Sequence, residues 1–239
     1  MEVINDIVGK NLKIYQDNEF FKFSLESVLL PNFVNINLRD KLILDLCSGN
    51  APIPLILSTK TKAKIYGVEL QKQVYELARK SVEINNKQDQ IEILNEDVKN
   101  LKKIFHGDMF DIITVNPPYF KVSDKSLTNK NNIKANARHE NTLNLEELLS
   151  IVVYLLKNNA SFYMVHRTER LIEIIEKLKK YNLTPKSLQF IHSYKDSESK
   201  LFMIKAVKNG GDGMKVLEPL YVHNEDGSYS NSVKEILEK

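Results

Sequence analysis

The sequence predicts an α/β fold in which a mostly parallel, seven-stranded sheet ends in an antiparallel C-terminal hairpin. Between residues 41 and 182, short β-like runs alternate with amphipathic helical segments, and the connections are short. This alternation is typical of right-handed βαβ units, which place helices on both faces of a parallel sheet. Two later apolar runs, at 185–194 and 200–209, have no helix between them and therefore predict a hairpin at the sheet edge.

Each element of the alternating region follows from its own residue pattern. Apolar runs predict five strands, at 41–46, 64–70, 90–97, 110–115 and 160–166. Helices are expected between and after them, at 52–60, 71–86, 98–104, 145–157 and 167–182. The helix at 71–86 has its apolar residues at helical spacing, and the prolines at positions 52 and 54 suit the first turn of another helix.

No linker or internal repeat divides the chain, so we expect a single domain over residues 1–239. Its parts are an N-terminal extension at 1–40, a core at 41–209 and a C-terminal tail at 210–239. The glycine-rich stretch at 209–213 is interpreted as a flexible turn and not as a domain boundary.

The composition is that of an ordinary water-soluble globule, with 42% apolar and 27% charged residues. The single cysteine excludes an internal disulfide framework and any zinc site built from several cysteines. The N-terminus lacks the apolar core of a signal peptide, and no apolar run has membrane-spanning length. We therefore expect a cytoplasmic protein with no membrane partner and no metal.

The positive charge is concentrated in one segment. The net charge of the whole chain is +3, which by itself is a weak argument for a polyanionic partner. One stretch carries five basic residues against the single acid Asp124, and these are Lys121, Lys125, Lys130, Lys134 and Arg138, followed by His139. A basic cluster of this kind could contact nucleic-acid phosphates, although a solvated loop is an equally good interpretation for any single lysine.

Polar residues follow the predicted strands at the ends where open α/β sheets bind ligands. After the first strand comes DLCSGNA (45–51), in which Gly49 lets the backbone approach a ligand closely. The pattern G-x-G-x-x-G is absent, which counts against a nicotinamide or flavin enzyme. Glu69, at the end of the second strand, could accept both hydroxyls of a ribose. Asp97, after the third strand, could accept a hydrogen bond from an adenine amino group or cap a helix.

The fourth strand ends in FDIITVNPPYFK (110–121), where two prolines follow an asparagine. Proline has a fixed φ and no backbone donor, so the pair ends the strand sharply. Taken alone, an Asn-Pro dipeptide more often marks a turn than a site.

Together, in this order and spacing, DLCSGNA, GVEL, NED and NPPY resemble the class I S-adenosylmethionine-dependent methyltransferases. NPPY resembles their amino-group branch, which methylates exocyclic nitrogens of bases or a glutamine amide. The whole chain is similar to the bacterial enzymes that methylate N6 of the adenosine next to the anticodon of valine tRNA. The further marks of this resemblance are the stretches at 21–34, 137–149 and 226–233.

The resemblance implies a Rossmann-like methyltransferase fold, S-adenosyl-L-methionine as cofactor and tRNA as partner. We expect a monomer, because no oligomerising helix or repeat is evident. The cofactor-binding residues it implies are Asp45, Cys47, Gly49, Asn50, Glu69, Leu70, Asp97, Val98 and Asn116. The catalytic residues it implies are Asn116, Pro117, Pro118 and Tyr119. The basic residues from Lys121 to His139 are the implied RNA contacts.

The residue chemistry agrees with such a mechanism. The side-chain oxygen of Asn116 and the carbonyl of Pro117 can each accept one N–H of an adenine amino group, while the prolines keep that carbonyl in place. Tyr119 can stack on the base, and no general base is required.

Two departures from the family pattern concern its first and third loop glycines, which Cys47 and Ala51 replace. An alanine at the third position implies a negative φ there, or strain if φ is positive. In addition, Glu26 stands where many relatives carry aspartate, and Ser24 and Ser27 are weaker candidates for contacts from that segment.

Three alternatives remain open at this point. A protein glutamine methyltransferase suits the same NPPY element, but such enzymes usually carry a helical N-terminal domain, and about 40 residues precede the first core strand here. A guanine-N2 methyltransferase acting on ribosomal RNA is the second alternative. The third is a non-catalytic RNA-binding module with the same fold, against which the intact NPPY and Glu69 argue.

Overall fold

The chain begins with a β-hairpin that the sequence patterns had not indicated. Strand β1 (Glu2–Ile7) pairs antiparallel with β2 (Leu12–Asp17), and helix α1 (Glu26–Phe33) follows. These elements belong to a computed structural model that describes residues 2–7, 11–17, 24–117 and 143–238. Within β2 the even-numbered residues are buried and the odd-numbered ones are more exposed, which is the alternation of a strand with one covered face.

The predicted alternation of strands and helices is confirmed in the middle of the chain. Its elements, in order, are β3 (Leu42–Leu46), α2 (Pro52–Lys60), β4 (Lys64–Glu69), α3 (Lys72–Ile84), β5 (Ile91–Asn95), a 3-10 segment (Val98–Lys103), β6 (Phe110–Val115), α4 (Leu145–Leu155) and β7 (Leu156–Arg167). A short 3-10 turn then leads into α5 (Leu171–Lys180). The remaining elements are β8 (Leu183–His192), β9 (Ser199–Lys208), β10 (Lys215–Val216), β11 (Leu220–Tyr221) and α6 (Asn231–Glu238).

The main sheet has the order β10-β8-β9-β7-β6-β3-β4-β5. Strands β3 to β7 are parallel to their neighbours among themselves, whereas β9 is antiparallel to both β7 and β8. The seven longer strands and the antiparallel hairpin are therefore as predicted. The two-residue strands β10 and β11, which both pair with β8, are additional.

The order of the strands decides where a ligand can bind. The chain runs from β3 outward to β4 and β5, and then returns to place β6 on the other side of β3. The connections therefore diverge between β3 and β6, and this leaves a crevice at the carboxyl ends of these two strands. Both β3 and β6 end in residues that the sequence had marked as functional.

Two apolar cores cover the two faces of the sheet. Ile43 and Ile112 belong to the core that also holds residues of α1, α2, α3 and the N-terminal hairpin. Their chain neighbours Leu44 and Ile113 belong to the second core, which contains residues of α4 and α5. Strands buried on both faces in this way explain the continuous apolar runs that first identified them.

Asp111 interrupts the apolar pattern of β6 for a structural reason. Its Oδ2 accepts hydrogen bonds from the backbone nitrogens of Lys41 and Leu42 at 2.8 and 3.0 Å, and Lys157 Nζ lies 2.7 Å from its Oδ1. Burial opposes ionisation of this carboxyl, but these three donors outweigh it and hold its pKa below the ordinary value. Asp111 thus joins the beginnings of β3, β6 and β7.

The N-terminal hairpin is joined to α3 by hydrogen bonds from and to the backbone of β2. Ser81 Oγ accepts from the backbone nitrogen of Tyr15 at 2.9 Å. The side chain of Asn85 pairs with both backbone groups of Lys13, at 2.9 and 2.6 Å. The hairpin therefore lies beside α3, the helix that follows β4.

Helix α3, with 13 residues, is the longest helix in the described ranges. In those ranges, no helix has both the length and the apolar character needed to cross a membrane.

In the C-terminal tail, α6 buries Val233 and Leu237 against the first core.

Candidate active site

The loop after β3 has an unusual backbone. Cys47, Gly49 and Ala51 all have positive φ, at 57°, 56° and 71°. Ser48, between the first two, holds the turn together because its Oγ donates to the carbonyl of Asp45 and accepts from the backbone nitrogen of Val68. Every second residue of the loop therefore lies in the left-handed region, which favours glycine.

The prediction of a negative φ at Ala51 is wrong. Its φ is positive, so the backbone at this residue is strained, which was the stated alternative. A residue with a Cβ is disfavoured in the left-handed region by about 1–2 kcal/mol relative to its usual conformations. Cys47 and Ala51 both carry this cost, since neighbouring elements hold the loop in the shape that three glycines would adopt more easily. Cys47 itself is half-buried against the second core, and burial, assisted by the nearby carboxylates of Glu69 and Asp45, raises the pKa of its thiol.

Gly49 connects this loop to the end of β4. Its backbone nitrogen donates to Glu69 Oε2 at 3.0 Å, and Glu69 Oε1 accepts from the backbone nitrogen of Gln71 at 2.9 Å. A Cβ placed on Gly49 would meet no atom within 4 Å, so open space lies on that side of the loop. Glu69 is 5% exposed, and Leu70 beside it is 41% exposed.

Asp45 is fully buried at the end of β3, directly opposite Thr114 of β6 in the strand register. Thr114 Oγ1 donates to Asp45 Oδ1 at 2.6 Å, whereas Asp45 Oδ2 has no hydrogen-bond partner among the described residues. Burial raises the pKa of Asp45 to about 7, and the hydrogen bond from Thr114 only partly opposes this. A buried carboxyl oxygen without a partner is suited to a cationic ligand group.

Asp97 acts as the N-cap of the 3-10 segment after β5. Its Oδ1 accepts from the backbone nitrogen of Lys99 at 2.9 Å, and the Lys99 ammonium lies 3.6 Å from its Oδ2. The capping interpretation of this residue is therefore confirmed, and a contact from Asp97 to a ligand stays a prediction. Val98, the next residue, is buried in the second core.

Asn50 ties the loop to the N-terminal hairpin. Its Nδ2 donates to the backbone carbonyl of Tyr15 in β2 at 2.7 Å, and the side chain is 5% exposed. Asn50 thus positions the loop, and its predicted contact with the cofactor remains untested.

Asn116 follows β6 directly, and its side chain reaches α1. Its Nδ2 donates to Ser27 Oγ at 3.1 Å, and Ser27 is 7% exposed. Because Nδ2 donates to Ser27, the other polar atom of the amide is Oδ1, which can only accept hydrogen bonds, and the predicted catalytic role of Asn116 stays a prediction. Pro117 is half-exposed after it.

Part of the predicted site lies outside the described residues. These positions are Pro118, Tyr119, Lys121, Lys125, Lys130, Lys134, Arg138 and His139. Their predicted roles in stacking and RNA binding stay predictions. In the described part of the chain, no group of three or more His, Cys, Asp or Glu side chains could hold a metal ion.

A model of the family described as the methyltransferase small domain matches residues 25–184 of the chain. The chain belongs to the methyltransferase small domain family. The match extends from α1, which carries Ser27, to the beginning of β8, and it therefore includes β3 to β7 and the loops described above.

Individual relatives and solved structures agree with this methyltransferase family. The chain is 27% identical over 195 residues to tRNA1(Val) (adenine(37)-N6)-methyltransferase of Phocaeicola vulgatus, which covers 82% of this chain and 80% of the relative. A solved structure of a predicted O-methyltransferase from Agrobacterium tumefaciens superposes with a TM-score of 0.69 at 17% identity, covering 88% and 94% of the two chains. Geranyl diphosphate C-methyltransferase from Streptomyces coelicolor, solved with S-adenosyl-L-homocysteine, gives a TM-score of 0.57 at 10% identity, with 77% and 78% covered. The predicted Rossmann-like methyltransferase fold is confirmed.

Residues that sequence reasoning did not select also lie next to the predicted site residues. Thr114 was visible as a polar residue inside an apolar strand, and its register opposite Asp45 is the signal that could have identified it. Gln16 and Tyr15 lie in a hairpin that was not predicted, because apolar and polar residues alternate only over Leu12, Lys13 and Ile14, which is too short a pattern to indicate a strand.

The strained backbone at Ala51 predicts an unusual response to glycine. Ala51→Gly should leave the free energy of unfolding unchanged or raise it by up to about 1 kcal/mol, because relief of the left-handed alanine outweighs the extra entropy of an unfolded glycine. Ala78→Gly is the matched control, since Ala78 is equally buried but lies within α3. That change should lower the stability by about 1 kcal/mol. Urea unfolding of both variants measures the difference, and equal destabilisation would contradict the strain at Ala51.

Proposed function

We propose that this methyltransferase transfers a methyl group from S-adenosyl-L-methionine to the exocyclic N6 of adenosine in tRNA, specifically adenosine 37 of valine tRNA. The observation that carries the proposal is the position of Asn116 at the carboxyl end of β6, with its amide nitrogen held by Ser27. Curated relatives that are named for this activity match the chain over most of their length, and this supports the choice of substrate.

The described residues fit S-adenosyl-L-methionine, the cofactor of this methyltransferase. The unpartnered Oδ2 of Asp45 is an acceptor for an ammonium group, and the open space at Gly49 allows a ligand to approach the backbone. Glu69 offers carboxylate oxygens for ribose hydroxyls, and the exposed Leu70 offers an apolar surface for a purine ring. When bound, the cofactor supplies a methyl group that is already activated on a sulfonium.

The protein then has to position and polarise a weak nucleophile. The lone pair of an adenine amino group is delocalised into the ring, so its nitrogen reacts only when it becomes pyramidal. Asn116 Oδ1 and the carbonyl of Pro117 would accept its two N–H groups, and these interactions strengthen as positive charge develops on the nitrogen. As the nitrogen–methyl bond forms and the methyl–sulfur bond breaks, the nitrogen becomes cationic, and it would then release one proton to water. Ser27 holds the nitrogen end of the amide, which limits the orientations that the Asn116 side chain can adopt.

An exposed column of aromatic rings supports an RNA substrate. The ring of His223 lies 5.4 Å from the rings of both Tyr194 and Tyr229, and the two tyrosines are 45% and 41% exposed. Tyr194 follows β8, which runs in the same direction as β7 because both are antiparallel to β9. The column is therefore at the same edge of the sheet as Asn116, where an unpaired base could stack on a tyrosine.

The anticodon loop suits such a site because its nucleotides are already largely unpaired. We infer that the basic residues between Lys121 and His139 contact the phosphates of this loop. We further infer that the protein acts in the cytoplasm, since its expected substrate is a cytoplasmic RNA, and that it acts as a monomer.

The direct test is incubation of the protein with labelled S-adenosyl-L-methionine and tRNA that lacks the modification. We expect label in N6-methyladenosine, confined to valine tRNA, when the nucleosides are separated after digestion. Label in another nucleoside such as N2-methylguanosine would overturn the proposal, and label only in added protein would favour a glutamine methyltransferase. An Asn116→Ala sample serves as the inactive control.

The roles of Asn116 and Ser27 are separable by kinetics. Asn116→Ala should lower kcat by roughly 100-fold or more, because a transition-state acceptor is lost, and leave the Kd for S-adenosyl-L-homocysteine nearly unchanged. Ser27→Ala should lower kcat less, by about tenfold, with little change in KM, whereas Ser27→Thr retains the hydroxyl and should restore much of the rate. A loss of cofactor binding equal to the loss of turnover would contradict these roles.

The raised pKa of Asp45 predicts a pH-dependent affinity for the cofactor product. A carboxyl with a pKa of about 7 is largely protonated at pH 6, and it must lose that proton to pair with an ammonium. The affinity for S-adenosyl-L-homocysteine should therefore rise with pH, by roughly tenfold between pH 6 and pH 8, with proton release on binding. Calorimetry in two buffers of different ionisation enthalpy measures this release. In Asp45→Asn the pH dependence should disappear, and an unchanged slope would show that another group is responsible.

A further inference from the structure

Gln16, in β2, has a buried side-chain amide nitrogen that donates no hydrogen bond within the described residues. The side chain is 3% exposed, and its Oε1 accepts from Asn5 Nδ2 at 2.8 Å. Its Nε2 has no hydrogen-bond partner among the described residues. Buried donors without partners are rare in native proteins, and each one requires an explanation such as a ligand.

The strand that carries Gln16 contacts the loop after β3. Side chains alternate along a strand, so Gln16 lies on the same face of β2 as Leu12 and Ile14. Those two residues belong to the core that also contains Ala51 and Ile53, at the end of the loop and the beginning of α2. The neighbouring Tyr15 carbonyl accepts from Asn50 of the same loop at 2.7 Å. The side chain of Gln16, with its unpartnered nitrogen, therefore lies on the face of β2 that shares a core with the end of this loop.

A second unpartnered polar atom adjoins the same loop. It is Oδ2 of Asp45, the residue at the end of β3 from which the loop starts. These two atoms are the buried side-chain N and O atoms without a partner in the described part of the chain, and they are opposite in kind. Asp45 offers an acceptor and Gln16 a donor. An α-amino acid group, with its ammonium and its carboxylate, is complementary to such a pair.

The beginning of α2 explains why a carboxylate would need a side-chain donor here. The N-terminus of a helix attracts anions through its dipole and its free N–H groups. In α2 the first and third residues are Pro52 and Pro54, which have no N–H, and the backbone nitrogen of Leu55 already donates to Ala51. Ile53 alone retains an N–H in the first three positions. A carboxylate at this point is thus attracted by the dipole but is short of donors.

We propose that Gln16 binds the carboxylate of the amino-acid part of S-adenosyl-L-methionine through Nε2, while Asp45 Oδ2 accepts from its ammonium. The N-terminal hairpin then forms one wall of the cofactor site, and Asn5 orients the amide by holding Oε1. The inference rests on the proposed function only in assuming this cofactor, and it assigns no role in methyl transfer.

The test is binding of two probes that differ in the amino-acid part. S-adenosyl-L-homocysteine carries the ammonium and carboxylate, whereas 5′-methylthioadenosine lacks both. In Gln16→Met, which preserves the volume and removes the donor, the Kd for S-adenosyl-L-homocysteine should rise by about tenfold or more. The Kd for 5′-methylthioadenosine should not change. Gln16→Glu should weaken the first probe further, because two carboxylates then face each other.

A matched control separates binding from packing of the hairpin. Asn85→Ala removes the hydrogen bonds to Lys13 and loosens the hairpin at a point away from Gln16. It should lower the thermal stability yet leave the ratio of the two Kd values unchanged. The protein without ligand should be about as stable in Gln16→Met as in the wild type, because the removal of a buried unpaired donor offsets the loss of the hydrogen bond from Asn5.

Each outcome is decisive. Equal loss of both probes in Gln16→Met, or no loss of either, would overturn the role of Gln16. A change in the ratio of the Kd values in Asn85→Ala as large as in Gln16→Met would assign the effect to hairpin packing and overturn it as well. If the wild-type protein bound neither probe, the cofactor assignment itself would fail, which is distinguishable because the wild type is measured first.

Discussion

The left-handed backbone of the loop after β3 is the constraint on which the site depends. Ser48 fastens the loop to β4, Gly49 to the carboxylate of Glu69, and Asn50 to the N-terminal hairpin. These three attachments hold Cys47 and Ala51 in conformations that a residue with a Cβ disfavours. The chain thus maintains by tertiary contacts a loop shape that the family pattern obtains from glycine, and strain of this kind commonly accompanies a functional site.

Polar groups buried at this point are destabilising in the free protein, and we propose that they serve to bind the cofactor. Asp45 has one oxygen satisfied by Thr114 and one without a partner, and burial raises its pKa accordingly. A core optimised only for stability would exclude such a carboxyl or pair both of its oxygens. The simplest physical reason to retain it is a cationic group that binds there, and the ammonium of the cofactor is such a group.

The proposed chemistry depends on a contact between distant parts of the chain. Asn116 and Ser27 are separated by 89 residues, yet a hydrogen bond of 3.1 Å joins them. Helix α1 therefore orients the amide that would accept from the target nitrogen, although it precedes the first strand of the main sheet. Preorganisation of this kind suits a reaction in which the methyl donor is already activated and the protein mainly positions the nucleophile.

The sequence by itself determined the alternation of strands and helices, the hairpin at the sheet edge and the polar residues at the strand ends, because side-chain periodicity is a local property. It also identified the family through short motifs such as DLCSGNA. Only the tertiary structure decided the positive φ of Ala51, the unpaired atoms of Asp45 and Gln16, and the contact between Ser27 and Asn116. These features arise where segments far apart in the chain meet, and whether a polar atom finds a partner there depends on every element packed around it.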